Sequence, residues 1–290
     1  MTLFINLRAS ANGGIVAAEA GAWDNGASYV SPQEFANRVE GRDVLFATHG
    51  FNVDQQSGIK ALMLWSQRCK LPDSCLFVGV LWPGDSRLHI LVDYVYEGVE
   101  AIASGKLLAH YLNQNAKRAN SMSFASHSLG ARTVLETVRG LDTKPRRMVL
   151  MAGAIENNCL EREYADAAAK TEETCVLASR SDAVLKWAFP AGNLIGEIIM
   201  HGHPYDRTAL GRNGPARPIP SNLHVRAWQI PNGWDYGHLD YLPSNKIAPA
   251  FPLPIIAPGP NTHVPVNEDD PASAGWKPAW SAGAVATQVT

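Results

Sequence analysis

The feature of this chain that most constrains its fold is a serine placed between an apolar run and a helical pattern. The motif Ser126-x-Ser128-x-Gly130 follows the apolar run 122–125 and precedes a helical pattern at 131–138. A strand that ends in small-x-Ser-x-small and turns directly into a helix is the arrangement of a nucleophile elbow. Ser-x-Ser-x-Gly also occurs in ordinary turns, so the rest of the chain decides between the two interpretations.

A second apolar stretch upstream of this serine ends in a glycine turn. Residues 44–47 are too few for a helix and predict a buried strand, which opens into His49-Gly50-Phe51. In acyl transfer, backbone N–H groups stabilise the oxyanion of the tetrahedral intermediate, often by about 3 kcal/mol each. We expect Gly50 to let the chain turn so that the Phe51 amide faces the site, with the Leu129 amide as the second donor. An ordinary glycine turn is the alternative.

A serine hydroxyl needs a base that accepts its proton, and the base needs a carboxylate that holds its tautomer. In strand–turn–helix serine sites the acid and then the histidine follow the serine along the chain. Asp182 follows the predicted strand 174–179, whereas Asp142 precedes a strand and Asp85 comes before the serine. Asp182 is therefore the predicted acid. It also suits an early helical position, near the positive end of the helix dipole.

The base is predicted from its position after the last strand. His238 follows the predicted strand 223–230 by a short loop that can fold back over the carboxyl edge of the sheet. The other histidines after Asp182 lie before that strand, at its start or in a proline-rich tail: His201, His203, His224 and His263. His238 is therefore the predicted base.

At these residues the chain resembles the alpha/beta-hydrolase superfamily. The matching pieces, which span roughly residues 43–241, are His49-Gly50-Phe51, Ser126-His127-Ser128-Leu129-Gly130, Ser179-Arg180-Ser181-Asp182 and Gly237-His238-Leu239-Asp240-Tyr241. The chain is most similar to a compact, little-characterised bacterial branch with a Ser-x-x-Asp acid motif and a Gly-His-x-x-Tyr base motif. The resemblance implies Ser128 as nucleophile, Asp182 as acid, His238 as base, and Phe51 and Leu129 as oxyanion amides.

The fold class expected is α/β, with the alpha/beta-hydrolase fold and a small or absent lid. Strands and helices alternate from residue 43 onward, which predicts a mostly parallel central sheet with helices on both faces. Residues 1–8 predict a first strand, and a capping box at Ser31 predicts a short helix that Gly41 ends. Residues 189–222 are rich in Gly, Pro and Arg and too few for a large cap, so they form either a small lid or a pocket wall.

One boundary between two regions follows from composition. Residues 1–242 are the expected catalytic domain. Residues 243–290 hold nine of the nineteen prolines and predict an extended arm packed on the same domain. The apolar residues available to anchor this arm are Phe251, Ile255, Ile256, Trp276 and Trp280.

Composition excludes several classes of partner. With 290 residues, 46% of them hydrophobic and 18% charged, the chain suits one large soluble domain. A net charge of −2 gives no reason to expect a nucleic-acid or anionic membrane surface. The chain contains no apolar stretch of membrane-spanning length and its N-terminus lacks a secretory pattern, so we expect a cytoplasmic protein.

The four cysteines show no zinc-binding spacing, and neither a metal nor a cofactor is expected. Cys69 and Cys75 are close enough in sequence to close a small disulfide loop, but reduced core thiols are the expected state in the cytosol.

These observations predict a cofactor-free serine hydrolase that acts on small-molecule carboxylic esters. Phe51, Trp82 and Trp234 are the aromatic candidates for an apolar substrate pocket, with core packing as the alternative for each. A thioesterase, amidase or peptidase would use the same triad, and a non-catalytic binding protein on the same fold is the alternative from another class. The oligomeric state is left open.

Overall fold

The computed structural model describes residues 2–11, 15–68, 71–85, 90–187, 189, 208–216, 219–230, 232 and 236–241. The strands of its sheet are β1 (Leu3–Arg8), β2 (Val16–Asp24), β3 (Ser28–Val30), β4 (Asp43–Thr48), β5 (Cys75–Leu81), β6 (Ser121–His127), β7 (Arg147–Met151), β8 (Glu173–Ser179) and β9 (Val225–Ile230). The helices are α1 (Pro32–Val39), α2 (Gln55–Arg68), α3 (Ile90–Asn115), α4 (Gly130–Gly140), α5 (Ala165–Lys170) and a four-residue helix at Leu210–Asn213.

The nine strands form one mixed sheet in the order β3-β2-β1-β5-β4-β6-β7-β8-β9. All neighbours from β1 to β9 pair in parallel, and only β2 and β3 are antiparallel additions at one edge. Every residue of β7 is buried, as expected for a parallel strand that is covered on both faces. The predicted α/β class and the mostly parallel sheet are confirmed.

The order of the strands places helices on both faces. The chain passes from β4 outward to β5, then reverses past β4 to β6 and continues to β9. Because strand–helix–strand crossovers are right-handed, this reversal puts α2 on one face and α3, α4 and α5 on the other. Trp65 of α2 accordingly packs against Phe77 of β5, with ring centroids 6.1 Å apart. The reversal also opens a crevice at the carboxyl ends of β4 and β6, where ligands bind in such sheets.

Helix α1 begins where the capping box predicts. The Ser31 hydroxyl accepts a hydrogen bond from the Glu34 N–H at 3.2 Å, and Pro32 occupies the first turn. The apolar face of the helix is buried, with the Phe35 ring 5.2 Å from that of Tyr111 in α3. Beyond the helix end, Gly41 adopts a left-handed conformation with φ of 67°.

Two elements differ from the sequence-based expectation. The sequence predicts a polar helix over roughly 158–170 between β7 and β8, but only Ala165–Lys170 is helical, because the preceding residues form hydrogen-bonded turns such as Cys159 N–H to Glu156 O. The hairpin β2–β3 was not predicted. Its turn is Asn25-Gly26, both left-handed at φ of 49° and 72°, which is the backbone that an Asn-Gly hairpin turn requires.

Several sequence-based expectations fall outside the described residues. These are the arm at 243–290 with its anchor residues, Cys69, and residues 190–207 of the predicted lid or wall. Cys75 is described, and it is a buried free thiol. Among the helices of the described residues, none is both long and apolar enough to cross a membrane.

Candidate active site

Ser128 stands at the carboxyl end of β6 in a strained backbone conformation. Its φ is 55°, in the left-handed region that residues with a side chain seldom adopt. The strain is held by hydrogen bonds: the Ser128 N–H donates to the Met151 carbonyl at 3.0 Å, and its carbonyl accepts from the N–H groups of Ala131 and Ala154. This is the geometry expected of an elbow between a strand and a helix.

The two small residues of the motif around Ser128, Ser126 and Gly130, are both buried and closely packed. A Cβ added to Gly130 would lie 2.3 Å from the His49 carbonyl oxygen, so this position admits only glycine without movement of the backbone. Ser126, where the usual motif has glycine, is fully buried, and its hydroxyl lies 3.4 Å from the Val149 carbonyl oxygen. A hydrogen bond to the neighbouring strand thus accommodates this departure from the motif.

The three residues singled out from the sequence lie in one hydrogen-bonded chain. Oγ of Ser128 is 2.8 Å from Nε2 of His238, and Nδ1 of His238 is 2.7 Å from Oδ2 of Asp182. Because a carboxylate only accepts, Nδ1 of His238 carries the hydrogen and Nε2 is free to accept from the Ser128 hydroxyl. The Asp182 side chain is fully buried, and that of His238 is 11% exposed.

Asp182 follows β8 and begins the helical residues 183–187. Its Oδ1 accepts a hydrogen bond from the Leu185 N–H at 2.9 Å, so one carboxylate oxygen caps the helix while the other faces His238. The rival aspartates lie elsewhere. Asp85 forms an ion pair with Arg8. Asp142 lies in the connection between α4 and β7, where its N–H donates to Oδ1 of Asn113.

Residues 236–241, which include the predicted base His238, are tied to the sheet by side chains; we call them the His238 segment. The Ser179 hydroxyl donates to the Tyr236 carbonyl at 2.6 Å. Inside the segment, the Gly237 N–H donates to Oδ2 of Asp240 at 2.7 Å, and Tyr241 is fully buried. Sequence reasoning found the Ser-x-x-Asp motif but missed this role of its serine, which the spacing alone did not reveal.

The residues 49–54 between β4 and α2, which we call the His49 loop, lie directly beside the serine. A Cβ on Gly50 would be 2.8 Å from the Ser128 Cβ. Gly50 is thus required for close approach, whereas the left-handed residue of the loop is Asn52 with φ of 55°. Phe51 is half-buried against the core, and Leu129 immediately precedes helix α4.

The side chains of Trp82 and Arg8 hold the His49 loop by donating hydrogen bonds to its backbone carbonyls. The Trp82 indole N–H donates to the His49 carbonyl at 2.8 Å, and the buried Arg8 donates to the carbonyls of Trp82 at 2.9 Å and of Val53 at 3.3 Å. Trp82 has no exposed surface, which favours core packing over pocket lining. Sequence analysis did not find Arg8, because a lone arginine at the end of a strand carries no motif.

Two histidines near the serine are buried and neutral. Burial lowers the pKa of His49 to about 4 and that of His127 to about 3. Nε2 of His127 lies 2.6 Å from the carbonyl oxygen of His238. His224 lies before β9, on the side opposite to the site, with Nδ1 3.1 Å from the Glu172 carbonyl. The predicted pocket residue Trp234 and the rival histidines His201, His203 and His263 lie outside the described residues.

Comparison with known families now identifies the group to which the chain belongs. The model of a family described as "Alpha/beta hydrolase of unknown function (DUF900)" matches residues 31–248. The chain belongs to this family. Its membership agrees with the topology of the sheet. In the part of the chain that the structure describes, no group of three or more His, Cys, Asp or Glu residues is arranged to hold a metal ion.

Solved structures similar to this member of the family include three esterases. Esterase PE8 shares 16% identity, with 69% of this chain and 86% of that chain covered and a TM-score of 0.39. Esterase B from Lactobacillus rhamnosis shares 12%, with 69% and 70% covered and a TM-score of 0.36. A thermophilic esterase from Thermogutta terrifontis shares 8%, with 71% and 77% covered and a TM-score of 0.35. The comparison with curated proteins found no match.

Proposed function

We propose that this alpha/beta hydrolase is a serine hydrolase that cleaves small-molecule carboxylic esters through an acyl-enzyme intermediate. The observation that carries the proposal is the continuous hydrogen-bonded chain from Ser128 through His238 to Asp182, with Ser128 held in a left-handed turn. A serine, an imidazole and a buried carboxylate in this sequence of contacts form a nucleophile, its base and the group that orients the base.

The reaction then proceeds in two halves. Ser128 Oγ attacks the acyl carbon while Nε2 of His238 accepts the hydroxyl proton, and Asp182 stabilises the imidazolium that forms. His238 returns the proton to the leaving alcohol, which leaves the acyl group on Ser128. A water molecule gives its proton to His238 and attacks the acyl-enzyme, and His238 protonates Ser128 as the carboxylic acid departs.

The oxyanion of each tetrahedral intermediate needs N–H donors beside Ser128. The Leu129 amide follows the nucleophile directly and lies at the N-terminus of α4, where the helix dipole favours negative charge. The Phe51 amide is the second proposed donor. In its support, the neighbouring Gly50 lies so close to Ser128 that a Cβ there would be 2.8 Å from the serine Cβ.

The experiment compares Ser128→Ala with the matched control Ser123→Ala. Ser123 lies on β6, the strand that ends directly before Ser128, is fully buried, and its hydroxyl has no hydrogen-bond partner among the described residues. Hydrolysis of p-nitrophenyl esters of graded acyl length should fall by about four to six orders of magnitude in Ser128→Ala and stay unchanged in Ser123→Ala. A fluorophosphonate probe should label the native protein and Ser123→Ala but not Ser128→Ala.

Other outcomes would reject the proposal in different ways. Activity above about a tenth of the native value in a folded Ser128→Ala protein would place the nucleophile elsewhere. Probe labelling without ester turnover, but with turnover of thioesters or amides, would keep the mechanism and change the substrate class. A native protein that is not labelled and hydrolyses none of these compounds would be a binding protein.

A further inference from the structure

His127 contacts the main chain of His238, and the side chain of His238 contacts Ser128. Its Nε2 is 2.6 Å from the carbonyl oxygen of His238, and the two imidazole centroids are 4.9 Å apart with the planes tilted by 55°. A carbonyl oxygen only accepts, so Nε2 of His127 carries a hydrogen and donates it. Two consecutive residues, His127 and Ser128, therefore hold one residue of the His238 segment at its backbone and at its side chain.

These contacts close a ring of atoms. The ring runs from Ser128 Oγ to Nε2 of His238, through the His238 side chain to its carbonyl, and through His127 back along the peptide bond to Ser128. Both hydrogen bonds of the ring are short, at 2.8 Å and 2.6 Å. Because every residue of β6 after Ser121 is buried, the ring ties the position of His238 to a buried strand of the sheet.

The surroundings of His127 fix its ring and its protonation state. The side chain is 3% exposed, and a Cβ on Gly50 would lie 3.0 Å from its Nδ1. Burial lowers the pKa of His127 to about 3. The ring is therefore a neutral donor during turnover and adds no positive charge beside His238 when that residue becomes an imidazolium.

We infer that His127 is a positioning residue, whose Nε2–H holds the main chain of His238 so that Nε2 of His238 stays within hydrogen-bond distance of Ser128 Oγ. This inference rests on the proposed function for its effect on rate. Its structural content is independent of catalysis, because it concerns the contact between His127 and His238 alone. Two further hydrogen bonds of the segment, from the Ser179 hydroxyl to the Tyr236 carbonyl and from the Gly237 N–H to Asp240, hold neighbours of His238 and not His238 itself.

The test uses two substitutions that separate the hydrogen bond from the packing. His127→Phe keeps a planar ring and removes the donor, whereas His127→Gln keeps an amide N–H at a similar reach. His224→Phe is the matched control, since His224 also has a ring nitrogen beside a backbone carbonyl, at 3.1 Å, but lies at the opposite end of the sheet. The thermal midpoint of each variant shows whether the fold is retained.

The expected result is a loss of turnover with little change in substrate binding. For p-nitrophenyl butyrate, His127→Phe should lower kcat about 10- to 100-fold with KM within about threefold, because misplacement of a reacting group by an ångström has an effect of this size. His127→Gln should retain at least about a third of the native kcat, and His224→Phe should match the native protein. A native kcat in His127→Phe, or an equal loss in His127→Gln, would overturn the inference.

A second measurement does not depend on activity. The proton between Nδ1 of His238 and Asp182 should give a downfield NMR resonance in the native protein, absent in His238→Ala. We expect it to broaden or move in His127→Phe and to stay in His127→Gln and His224→Phe. An unchanged resonance in His127→Phe would overturn the positioning role. If the resonance changes in His127→Phe but the native protein is not labelled by the probe, the proposed function is rejected while the contact between His127 and His238 is kept.

Discussion

The two segments that flank Ser128 are held in place by different means. The His49 loop is fixed by close backbone packing and by the fully buried guanidinium of Arg8, which donates to the carbonyls of Val53 and Trp82 and pairs with Asp85. The His238 segment is fixed by hydrogen bonds: two join uncharged groups, from Ser179 to Tyr236 and from His127 to His238, and one runs from the Gly237 N–H to the Asp240 carboxylate. The His49 loop thus depends on one buried guanidinium, whereas the His238 segment depends on several separate hydrogen bonds.

The difference follows from what each segment has to present. The His49 loop would offer a backbone amide, so its main chain must lie against Ser128, and a side chain at Gly50 or Gly130 would prevent that. The His238 segment offers a side chain, so its main chain can stand further away and be tied by hydrogen bonds. We therefore expect substitutions in the first region to affect stability strongly, and those in the second to affect turnover more than stability.

The largest effect is expected for Arg8→Met. It removes the ion-pair partner of Asp85 and the donor to four backbone carbonyls, and breaking a buried pair by removing one partner costs about 3–5 kcal/mol. The free energy of unfolding, measured by urea titration, should fall by about this amount, and ester hydrolysis should fall with it. The control is Arg118→Met, whose ion pair with Glu40 is about half exposed and should change stability little. Equal effects of the two substitutions would contradict the comparison.

Gly130→Ala should have the next largest effect on stability. The added methyl group would lie 2.3 Å from the His49 carbonyl oxygen, so the loop and the elbow must separate. We expect a loss of about 1–3 kcal/mol in unfolding free energy, and a loss of hydrolysis of at least about 100-fold because Ser128 moves relative to its partners. Gly98→Ala, at a helical position with nothing within 4 Å, is the control and should be neutral or stabilising. Native activity in Gly130→Ala would refute the packing argument.

Ser179→Ala tests the other segment. It removes the donor to the Tyr236 carbonyl and should lower the unfolding free energy by about 1 kcal/mol. Because the segment carries His238, kcat should fall about tenfold with KM little changed. Ser123→Ala, equally buried, again serves as the control. If Ser179→Ala destabilises the protein as much as Arg8→Met, the distinction between the two segments does not hold.

A dependence of stability on pH is also expected, with one buried neutral histidine in the His49 loop and one beside the His238 segment. The folded-state pKa values of His49 and His127, about 4 and about 3, lie below the ordinary value of 6.5, so the unfolded chain binds more protons as pH falls below 6.5. The free energy of unfolding should therefore decrease as pH falls, by at most about 1.4 kcal/mol per pH unit for each histidine. This decrease should stop near pH 4 for His49 and near pH 3 for His127.

Urea titrations from pH 7 to 3.5 on the native protein, His49→Gln and His127→Gln check this expectation. Each substitution should flatten the curve below pH 6.5. An identical slope in all three proteins would contradict the expectation that burial keeps His49 and His127 neutral.

Much of the parallel sheet was accessible from the sequence because apolar runs there alternate with helical patterns. The chain order of Ser128, Asp182 and His238 was likewise sufficient to select three residues that the structure brings together. The hairpin β2–β3 was not predicted because β2 is half-exposed and its apolar residues show no clear alternation. The pair Asn25-Gly26, a common hairpin turn sequence, could have indicated it. The roles of Arg8, His127 and Ser179 depend on contacts between residues distant in sequence, which no local pattern encodes.

The position of Arg8 also bears on how far the chain can be truncated from its N-terminus. The family match begins at residue 31, yet Arg8 lies in β1, which pairs with β5 from Leu3 to Asn6. A chain shortened to the family boundary would lose this strand and turn β5 into an edge, with the unpaired backbone of Val78–Leu81 open to other chains. Such edges template aggregation. The N-terminal strand therefore covers the edge of the sheet that β5 would otherwise expose. We expect a shortened protein to precipitate before the effect of losing Arg8 on the His49 loop could be measured.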